Sequence, residues 1–279
     1  MKVVNSIKEM QNLANEAKKA GKKISFVPTM GALHKGHLEL ISEGRKRGDL
    51  LVVSIFVNPT QFGPNEDFNR YPRDIEGDLK KARETGVDVV FTPTIEEMYP
   101  EGFQTYVEVS KLQNHLCGIF RHGHFRGVAT VVLKLFNIVK PDVAIFGEKD
   151  YQQLKIIQRM VKDLNLEIEI VGFPVVREEG GLACSSRNSY LSHEDKECAS
   201  TIYRALQEMK IEFERGQLSA REITEKGKRI LKRAGIEEID YIEVCDPETL
   251  ESKQRATKGD IVAVAVRIKG VRLIDNIKL

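Results

Sequence analysis

The sequence predicts an α/β protein, a Rossmann-like doubly wound parallel sheet followed by a smaller C-terminal α+β domain. Up to Pro174, apolar runs of strand length alternate with amphipathic stretches of helical length, and this alternation is typical of βαβ units. Three runs, residues 50–57, 87–91 and 143–146, are almost continuously apolar, which indicates strands covered on both faces. After Pro174 the alternation stops.

The first predicted helix spans residues 6–20. Ser6 and Glu9 have the spacing of a capping box, apolar residues recur on one helical face, and Gly21 is placed to end the helix. The other elements of this region follow from the same patterns. They are strands at 23–27, 50–57, 87–91, 143–146 and 167–171, and helices at 36–47, 73–85, 128–139 and 151–163.

The region after Pro174 predicts two helices followed by short strands. The helices cover residues 194–215 and 219–234, and the strands cover 238–244, 261–268 and 271–274, with a turn at Lys269 and Gly270. Elements that no longer alternate favour a separate α+β unit. We therefore expect a Rossmann-like domain at 1–175 and an α+β lid domain at 176–279.

Composition excludes several classes of function. The 43 basic and 41 acidic residues leave a net charge of +2, which argues against a protein that neutralises nucleic-acid phosphates. The apolar runs are far shorter than the ~18 residues of a membrane span. No secretion signal is visible, and the four cysteines form no CxxC pair, which favours reduced thiols. We expect a cytoplasmic protein without nucleic-acid or membrane partners.

The loop after the first long strand, residues 28–38, combines two histidines with a helix start. His34 and His37 lie three residues apart where the helix begins, beside backbone N–H groups of the first turn. A helix N-terminus favours an anion, and imidazoles add hydrogen-bond donors. Gly31 and Gly36 let a ligand approach the backbone. This pattern predicts a phosphate-binding site.

The loop after strand 143–146 carries a second group of polar residues. Asp150 and Gln153 have the spacing of an N-cap and its reciprocal partner, so a structural role is open to both. Lys149 has no such role, and it lies where ligands bind in open α/β sheets. Its positive charge predicts a contact with phosphate.

Two further polar stretches could each be either a structural turn or part of a binding site. Residues 184–188 offer two hydroxyls, a guanidinium and an amide but also suit a simple turn. Gln61, in the loop after strand 50–57, could bind a substrate hydroxyl or carboxylate.

Cys117, His122 and His124 have side chains that can bind zinc, but they lack a fourth ligand and a known zinc spacing, which argues against a zinc site. The sequence also lacks GxGxxG, P-loop and GxSxG motifs.

Six motifs, in order, resemble one family across essentially the whole chain. They are PTMGALHKGH at 28–37, VNPTQF at 57–62, YPR at 71–73, GHFRGV at 123–128, GEKDYQQ at 147–153 and SSRN at 185–188. HxGH with a distant SSR is similar to the nucleotidyltransferase superfamily. The complete set resembles the pantoate–β-alanine ligase family.

The resemblance implies an ATP-dependent amide ligation. Pantoate and ATP would give pantoyl adenylate and pyrophosphate, and β-alanine would then displace AMP to give pantothenate. Because both nucleophiles belong to substrates, the protein's task would be positioning and charge stabilisation. The resemblance also implies Mg²⁺ with ATP, and a homodimer.

The resemblance further implies roles for individual residues. His37 would donate a proton, with His34 and Lys149 completing the catalytic set, Gln61 and Gln153 would bind pantoate, with Gln61 also meeting β-alanine, and Asp78 would contact the metal. The implied ATP-binding residues are Met30, Gly31, Ala32, Leu33, His34, Lys35, Gly36, His37, Gly147, Glu148, Lys149, Asp150, Val176, Cys184, Ser185, Ser186 and Arg187.

Two positions depart from the family pattern. Cys184 stands where members often have Met, which a loop binding ATP through its backbone can tolerate. Gly77 precedes Asp78 where an acidic neighbour is sometimes present, which weakens the metal assignment. Two other functions remain as alternatives: a nucleotidyltransferase acting on a phosphate ester, and a regulatory module that binds the nucleotide without turnover.

Overall fold

The computed structural model describes residues 1–279, which form two compact units. Unit one comprises Met1–Gln113, Arg121–Glu148 and Gln153–Pro174. Unit two comprises Asn114–Phe120, Lys149–Gln152 and Val175–Leu279. The two short segments of unit two that precede residue 175 carry no signal in the sequence, because each is only a few residues long.

Unit one is built on a six-stranded sheet in which every pair of neighbouring strands is parallel. Its strands are β1 Lys2–Val4, β2 Ile24–Thr29, β3 Leu50–Ile55, β4 Val89–Phe91, β5 Val143–Gly147 and β6 Glu169–Phe173. Their order in the sheet is β1-β4-β3-β2-β5-β6, so the predicted parallel sheet is confirmed. The chain order reverses between β2 and β5, which is where ligands bind in such sheets.

Seven helices lie between or after these strands along the chain, of which the short α5 belongs to unit two. They are α1 Ile7–Lys19, α2 Lys35–Arg47, α3 Ile75–Glu84, α4 Ile95–Met98, α5 Cys117–Phe120, α6 His124–Val139 and α7 Tyr151–Asp163. Half of the predicted capping box of α1 is confirmed, because Ser6 Oγ accepts from the Glu9 amide at 3.3 Å. The Glu9 carboxylate lies 2.8 Å from Lys2 Nζ instead. Helix α3 begins two residues later than predicted, because the Asp74 carboxylate caps it at the Gly77 amide.

The core of unit one lies where α2 and its neighbours cover the central strands. Val27, Leu51, Val53 and Ile145 are completely buried there, together with Ile41 of α2. Burying such side chains stabilises the fold by about 1.5–3 kcal/mol each. The central strands are therefore held rigidly, and the loops that leave β2 and β5 start from fixed positions.

Unit two contains a three-stranded antiparallel sheet and two long helices. These are α8 His193–Glu214, α9 Ala220–Arg233, β7 Glu238–Cys245, β8 Ile261–Ile268 and β9 Val271–Lys278, with strand order β7-β8-β9. The predicted turn is confirmed, since Lys269 and Gly270 have φ angles of 49° and 77°, as a tight hairpin requires. Strand β9 runs beyond the predicted residue 274, because its pairing with β8 continues to Lys278 opposite Ile261. The buried polar residues Asp275 and Asn276 interrupt the apolar pattern that the prediction used.

No helix of either unit is long and apolar enough to cross a membrane.

Candidate active site

The loop between β2 and α2 leaves the sheet at the strand where the chain order reverses. Gly31 and Ala32 have φ angles of 86° and 49°, so the backbone turns through two successive left-handed residues. A Cβ on Gly31 would lie 2.9 Å from Ile55 Cγ2 and 3.0 Å from Asp78 Oδ2. Glycine is therefore required at this position both by conformation and by space.

The amides of this loop are bound within the protein itself. The Gly31 amide donates to Thr29 Oγ1 at 3.2 Å, and those of Ala32 and Leu33 donate to Asp78 Oδ2 and Oδ1 at 2.7 and 2.6 Å. These three N–H groups are consequently used to fix the loop. The first turn of α2, with exposed Lys35 and buried Gly36, is the part of the predicted phosphate site at a helix N-terminus, where backbone N–H groups favour an anion.

Asp78 lies on α3 and is only 1% exposed. Burial raises the pKa of its carboxyl, while the two amide hydrogen bonds act in the opposite direction. Both oxygens serve the β2–α2 loop, and no group of three or more His, Cys, Asp or Glu side chains is arranged to hold a metal ion. The donor set does not fit a protein-built metal cage, and the metal contact at Asp78 stays a prediction.

His34 and His37 lie side by side, with ring centroids 4.0 Å apart and planes inclined by 33°. His34 is the residue before the first turn of α2, and its amide donates to His37 Nδ1 at 3.4 Å. Because Nδ1 accepts this bond, a neutral His37 carries its proton on Nε2. The ring can therefore donate a hydrogen bond through Nε2. No acidic residue lies in the first turn of α2, which keeps the helix N-terminus favourable to an anion.

Gln61 lies in the 3-10 turn Pro59–Gln61 after β3 and is 8% exposed. Its Oε1 accepts from Asn58 Nδ2 at 3.0 Å, and its Nε2 lies 3.1 Å from Met30 Sδ. The structure thus brings together Gln61 and Met30, two residues from separate predicted motifs. A thioether is a weak acceptor, so the Gln61 amide group retains donor capacity for a stronger partner.

A charged network lies behind the same turn. The Arg121 Nε and Nη2 atoms donate to both carboxylate oxygens of Glu66 at 2.7 Å each, and Nη1 lies 3.0 Å from His124 Nε2. His124 Nδ1 lies 2.8 Å from the backbone oxygen of Gln61. Hydrogen bonds from Arg121 lower the pKa of Glu66 to about 2, against the opposing effect of burial.

Helix α6 approaches the turn so closely that only glycine fits at residue 127. A Cβ there would lie 2.3 Å from the Thr60 backbone oxygen. The Gly127 carbonyl also accepts from Asn58 Nδ2 at 3.2 Å. The turn that carries Gln61 is therefore packed directly against the α6 backbone.

The remaining predicted residues of unit one lie at the end of β5 and on α7. Gly147 is the last residue of β5, and Glu148 follows it in a 3-10 turn; both are half-buried. Gln153 is half-buried near the start of α7. Its predicted contact with substrate stays a prediction.

In unit two, Lys149 lies close to the buried polar residues Asp275 and Asn276 of β9. Its side chain is 18% exposed and its ammonium lies 3.8 Å from Asp150 Oδ1. Its backbone oxygen accepts from Asn276 Nδ2 at 3.1 Å. Asp275 is 4% exposed, and burial raises the pKa of its carboxyl although Arg177 and Lys149 oppose the shift.

The segment from Val176 to Arg187 folds back on itself within unit two. The Cys184 amide donates to the Val176 oxygen at 2.9 Å, and Ser185 Oγ caps the following 3-10 turn at the Arg187 amide. Asn188 fastens this turn through Ala183 O at 3.0 Å. Cys184 is buried, while Ser185, Ser186 and Arg187 are half-buried.

Several residues around these groups were missed by the sequence analysis. Arg177 forms a two-point ion pair with Asp275 at 2.6 and 3.0 Å. The sequence signal for this pair was Asp275 itself, an acidic residue close to the apolar residues of the last predicted strand. Glu66 and Arg121 carried no such signal, because they pair with each other across 55 residues of chain. Asn58 was noted only as part of the VNPTQF motif. His124 was considered as a zinc ligand and as part of the GHFRGV motif, but its contact with Gln61 was not predicted.

A parallel sheet with the β2–α2 loop at its switch point defines the first unit as a Rossmann-like nucleotide-binding type of protein. Comparison with known proteins gives the family. The family model described as pantoate-beta-alanine ligase matches residues 2–278. The chain belongs to the pantoate–β-alanine ligase family and is therefore a ligase that forms a C–N bond.

Individual relatives agree over their full lengths. The pantothenate synthetase of Sulfurihydrogenibium sp. strain YO3AOP1 is 56% identical over 279 residues, which are 100% of both chains. That of Geobacter sulfurreducens is 51% identical, covering 99% of this chain and 98% of the relative.

Solved structures confirm the fold. The crystal structure of pantothenate synthetase from Thermus thermophilus has a TM-score of 0.94 at 46% identity, covering 100% of this chain and 99% of that one. The pantoate-beta-alanine ligase of Francisella tularensis, complexed with beta-gamma ATP and beta-alanine, has a TM-score of 0.83 at 37% identity, covering 100% and 97%.

Proposed function

We propose that this chain condenses pantoate with β-alanine through a pantoyl-adenylate intermediate. In the first step a pantoate carboxylate oxygen bonds to the α-phosphorus of ATP, and the bond from that phosphorus to the pyrophosphate oxygen breaks. In the second step the β-alanine amine bonds to the acyl carbon, the acyl–oxygen bond breaks, and AMP leaves as the amine loses a proton. The full-length match to the pantoate–β-alanine ligase family carries this proposal.

The phosphates bind at the first turn of α2. The helix N-terminus supplies backbone donors, and His37 supplies Nε2–H, since its Nδ1 accepts from His34. His34 lies against His37 and binds the phosphates beside it. Charge that develops on the phosphate oxygens is stabilised by donors already in place, which is the largest contribution in many such reactions.

Lys149 and the 184–187 segment bind the nucleotide. Lys149 supplies a point positive charge that reaches phosphate, and its side chain is largely buried, where an ion interaction is screened less by water. Val176, Ser185, Ser186 and Arg187 contact ATP together with the Cys184 backbone. Gly147, Glu148 and Asp150 bind the nucleotide from the loop after β5. These roles are supported by the family match.

Gln61 and Gln153 bind pantoate. The Gln61 amide nitrogen has only the weak acceptor Met30 Sδ in the protein, and pantoate offers carboxylate and hydroxyl oxygens. The Francisella tularensis relative complexed with beta-gamma ATP and beta-alanine supports ATP and β-alanine as the co-substrates.

Mg²⁺ accompanies ATP in this proposal. Because Asp78 uses both oxygens for backbone amides, the ion would be held chiefly by the phosphates and water, as is usual for Mg²⁺, with Asp78 as the nearest predicted protein contact. A homodimer in the cytoplasm completes the proposal.

Isotope exchange between pyrophosphate and ATP tests the first step. We expect exchange that requires pantoate and proceeds without β-alanine, because adenylation is reversible until the amine arrives. Lactate and β-alanine alone serve as control acids. Exchange without any acid, or exchange that follows another acid, would contradict the substrate assignment. A stable nucleotide-linked product without free AMP after addition of β-alanine would instead indicate a nucleotidyltransferase.

A further inference from the structure

We propose that Arg121 and His124 are positioning residues that hold Gln61 in the orientation that binds pantoate. Neither residue is given a role by the reaction described above. The inference rests on the proposed role of Gln61 as a pantoate ligand. It is carried by two independent sets of hydrogen bonds, one on the side chain of Gln61 and one on its backbone.

The first set determines which atom of the Gln61 side-chain amide, Oε1 or Nε2, faces Asn58. The Thr60 backbone N–H donates to Asn58 Oδ1 at 3.3 Å, so the other Asn58 atom is the donor Nδ2. Nδ2 lies 3.0 Å from Gln61, which therefore presents its oxygen to Asn58 and its NH₂ group to Met30. Gln61 acts as a donor toward any ligand, and this suits the oxygens of pantoate.

The second set fixes the backbone of the same residue. A guanidinium can only donate, so His124 Nε2, 3.0 Å from Arg121 Nη1, is the acceptor and carries no proton. The proton of neutral His124 is then on Nδ1, which donates to the Gln61 oxygen at 2.8 Å. Arg121 thus selects the tautomer of His124 that can hold Gln61, and Arg121 Nη2 adds a longer contact to the same oxygen at 3.4 Å.

Glu66 holds Arg121 in place. The two-point ion pair uses Nε and Nη2, and the fixed fork of the guanidinium then directs Nη1 toward His124. Arg121 is 13% exposed and Glu66 26%, so water competes little for these bonds. Lysine cannot replace Arg121 here, because one ammonium cannot span Glu66 and His124 with this geometry.

The test measures pantoate-dependent exchange of pyrophosphate into ATP with three single variants, with Arg121→Lys and with the double variant Gln61→Ala/His124→Phe. His124→Phe removes the hydrogen bond to the Gln61 backbone oxygen and keeps a planar ring. Arg121→Gln removes the guanidinium. Gln61→Ala removes the side-chain amide that is proposed to bind pantoate. Arg159→Gln is the matched control, since it breaks an exposed pair with Asp163 on α7. The KM for pantoate, the KM for ATP and the unfolding temperature are measured for each.

We expect His124→Phe and Arg121→Gln to raise the KM for pantoate about tenfold, the scale of a displaced binding group. The KM for ATP should change by less than about twofold, because the variants disturb the residue that binds pantoate and not the fold as a whole. In the Gln61→Ala background, His124→Phe should add almost nothing, since His124 acts on pantoate binding only through the Gln61 side chain, which is then absent. Arg121→Lys should not restore the KM.

Three results would overturn the inference. The first is an unchanged KM for pantoate in His124→Phe. The second is an equal loss for ATP and pantoate, which indicates a structural role alone. The third is an effect of His124→Phe that is undiminished without Gln61. If Gln61→Ala itself leaves the KM for pantoate unchanged, the proposed substrate role of Gln61 fails, and this is distinguishable from a failure at His124. Should Arg121→Gln not fold, His124→Phe decides the question.

Discussion

Asp78 Oδ1 accepts a hydrogen bond from the backbone amide of Leu33 at 2.6 Å, across 45 residues of chain. The second oxygen accepts from Ala32, so one buried carboxylate fastens the loop before α2 to α3. A carboxylate that accepts from two adjacent amides fixes their orientation. The histidines that follow the loop therefore start from a defined backbone position.

We predict that Asp78→Asn destabilises the protein and weakens ATP binding. Asparagine can accept from one of the two amides and turns an NH₂ group toward the other, which leaves a buried donor unsatisfied. The free energy of unfolding should fall by about 1–3 kcal/mol, and urea denaturation measures it. Asp163→Asn, on the exposed pair with Arg159, is the control. An Asp78→Asn protein with full stability and an unchanged KM for ATP would contradict the anchoring role.

His37→Asn tests the hydrogen bond that His37 Nε2–H donates to the substrate while keeping the local hydrogen bond with the His34 amide. The Asn oxygen can replace Nδ1 as the acceptor of the His34 amide, but no N–H reaches the position of Nε2. We expect kcat to fall by about 10²–10³, the scale of losing one preorganised donor to a developing anion, with little change in unfolding temperature. Single-turnover formation of pyrophosphate measures the chemical step, and a loss of tenfold or less would remove His37 from the mechanism.

Lys149→Ala tests the charge on the nucleotide phosphates. We expect turnover to fall by about 10²–10³ for the same reason as at His37. Lys149 also faces the acidic Asp150 and Asp275, so a structural role predicts lost stability instead. Turnover and thermal unfolding measured on the same samples distinguish the two, and Lys149→Met controls for the loss of side-chain volume. A stable variant with nearly full turnover would exclude the phosphate contact.

Glu66 makes stability depend on acid pH. Its folded-state pKa of about 2 lies below the ordinary value of 4.5, so the folded protein prefers the charged form. The resulting stabilisation is fully present above pH 4.5 and is lost as the pH falls toward 2. Because Glu66 is partly exposed, we expect about 1–2 kcal/mol at neutral pH.

Urea denaturation from pH 7 downward measures this effect. The difference in unfolding free energy between the native protein and Glu66→Gln should be largest at pH 6–7 and shrink below pH 4.5. Arg121→Gln should show the same decline, because it removes the partner of the same pair. A difference that is constant with pH would show that the ion pair does not cause the shift.

The fold was predictable where one local signal dominates. The buried strands β3, β4 and β5 lie in almost continuous apolar runs, and the Lys269 turn is marked by the glycine that follows it. Strand β1 was missed because three residues give no period. The start of α6 was placed four residues late, since His124 and Arg126 interrupt the apolar pattern before its buried face begins.

The candidate site was predictable only in part. The sequence indicated His34, His37 and Lys149 from their positions after strands, and it indicated Gln61 as a polar residue in a suitable loop. It did not indicate that the amides of Gly31, Ala32 and Leu33 are used inside the protein, because their acceptors come from a neighbouring strand residue and a distant helix.

By itself the sequence determined the α/β class, the loops that carry chemistry and the family, since local periodicity and ordered motifs are properties of the chain. Only the tertiary structure decided what Asp78 and His124 do. Each holds a backbone group 45 or 63 residues away, and hydrogen bonds depend on distance in space and on direction, neither of which is written in the spacing of residues along the chain.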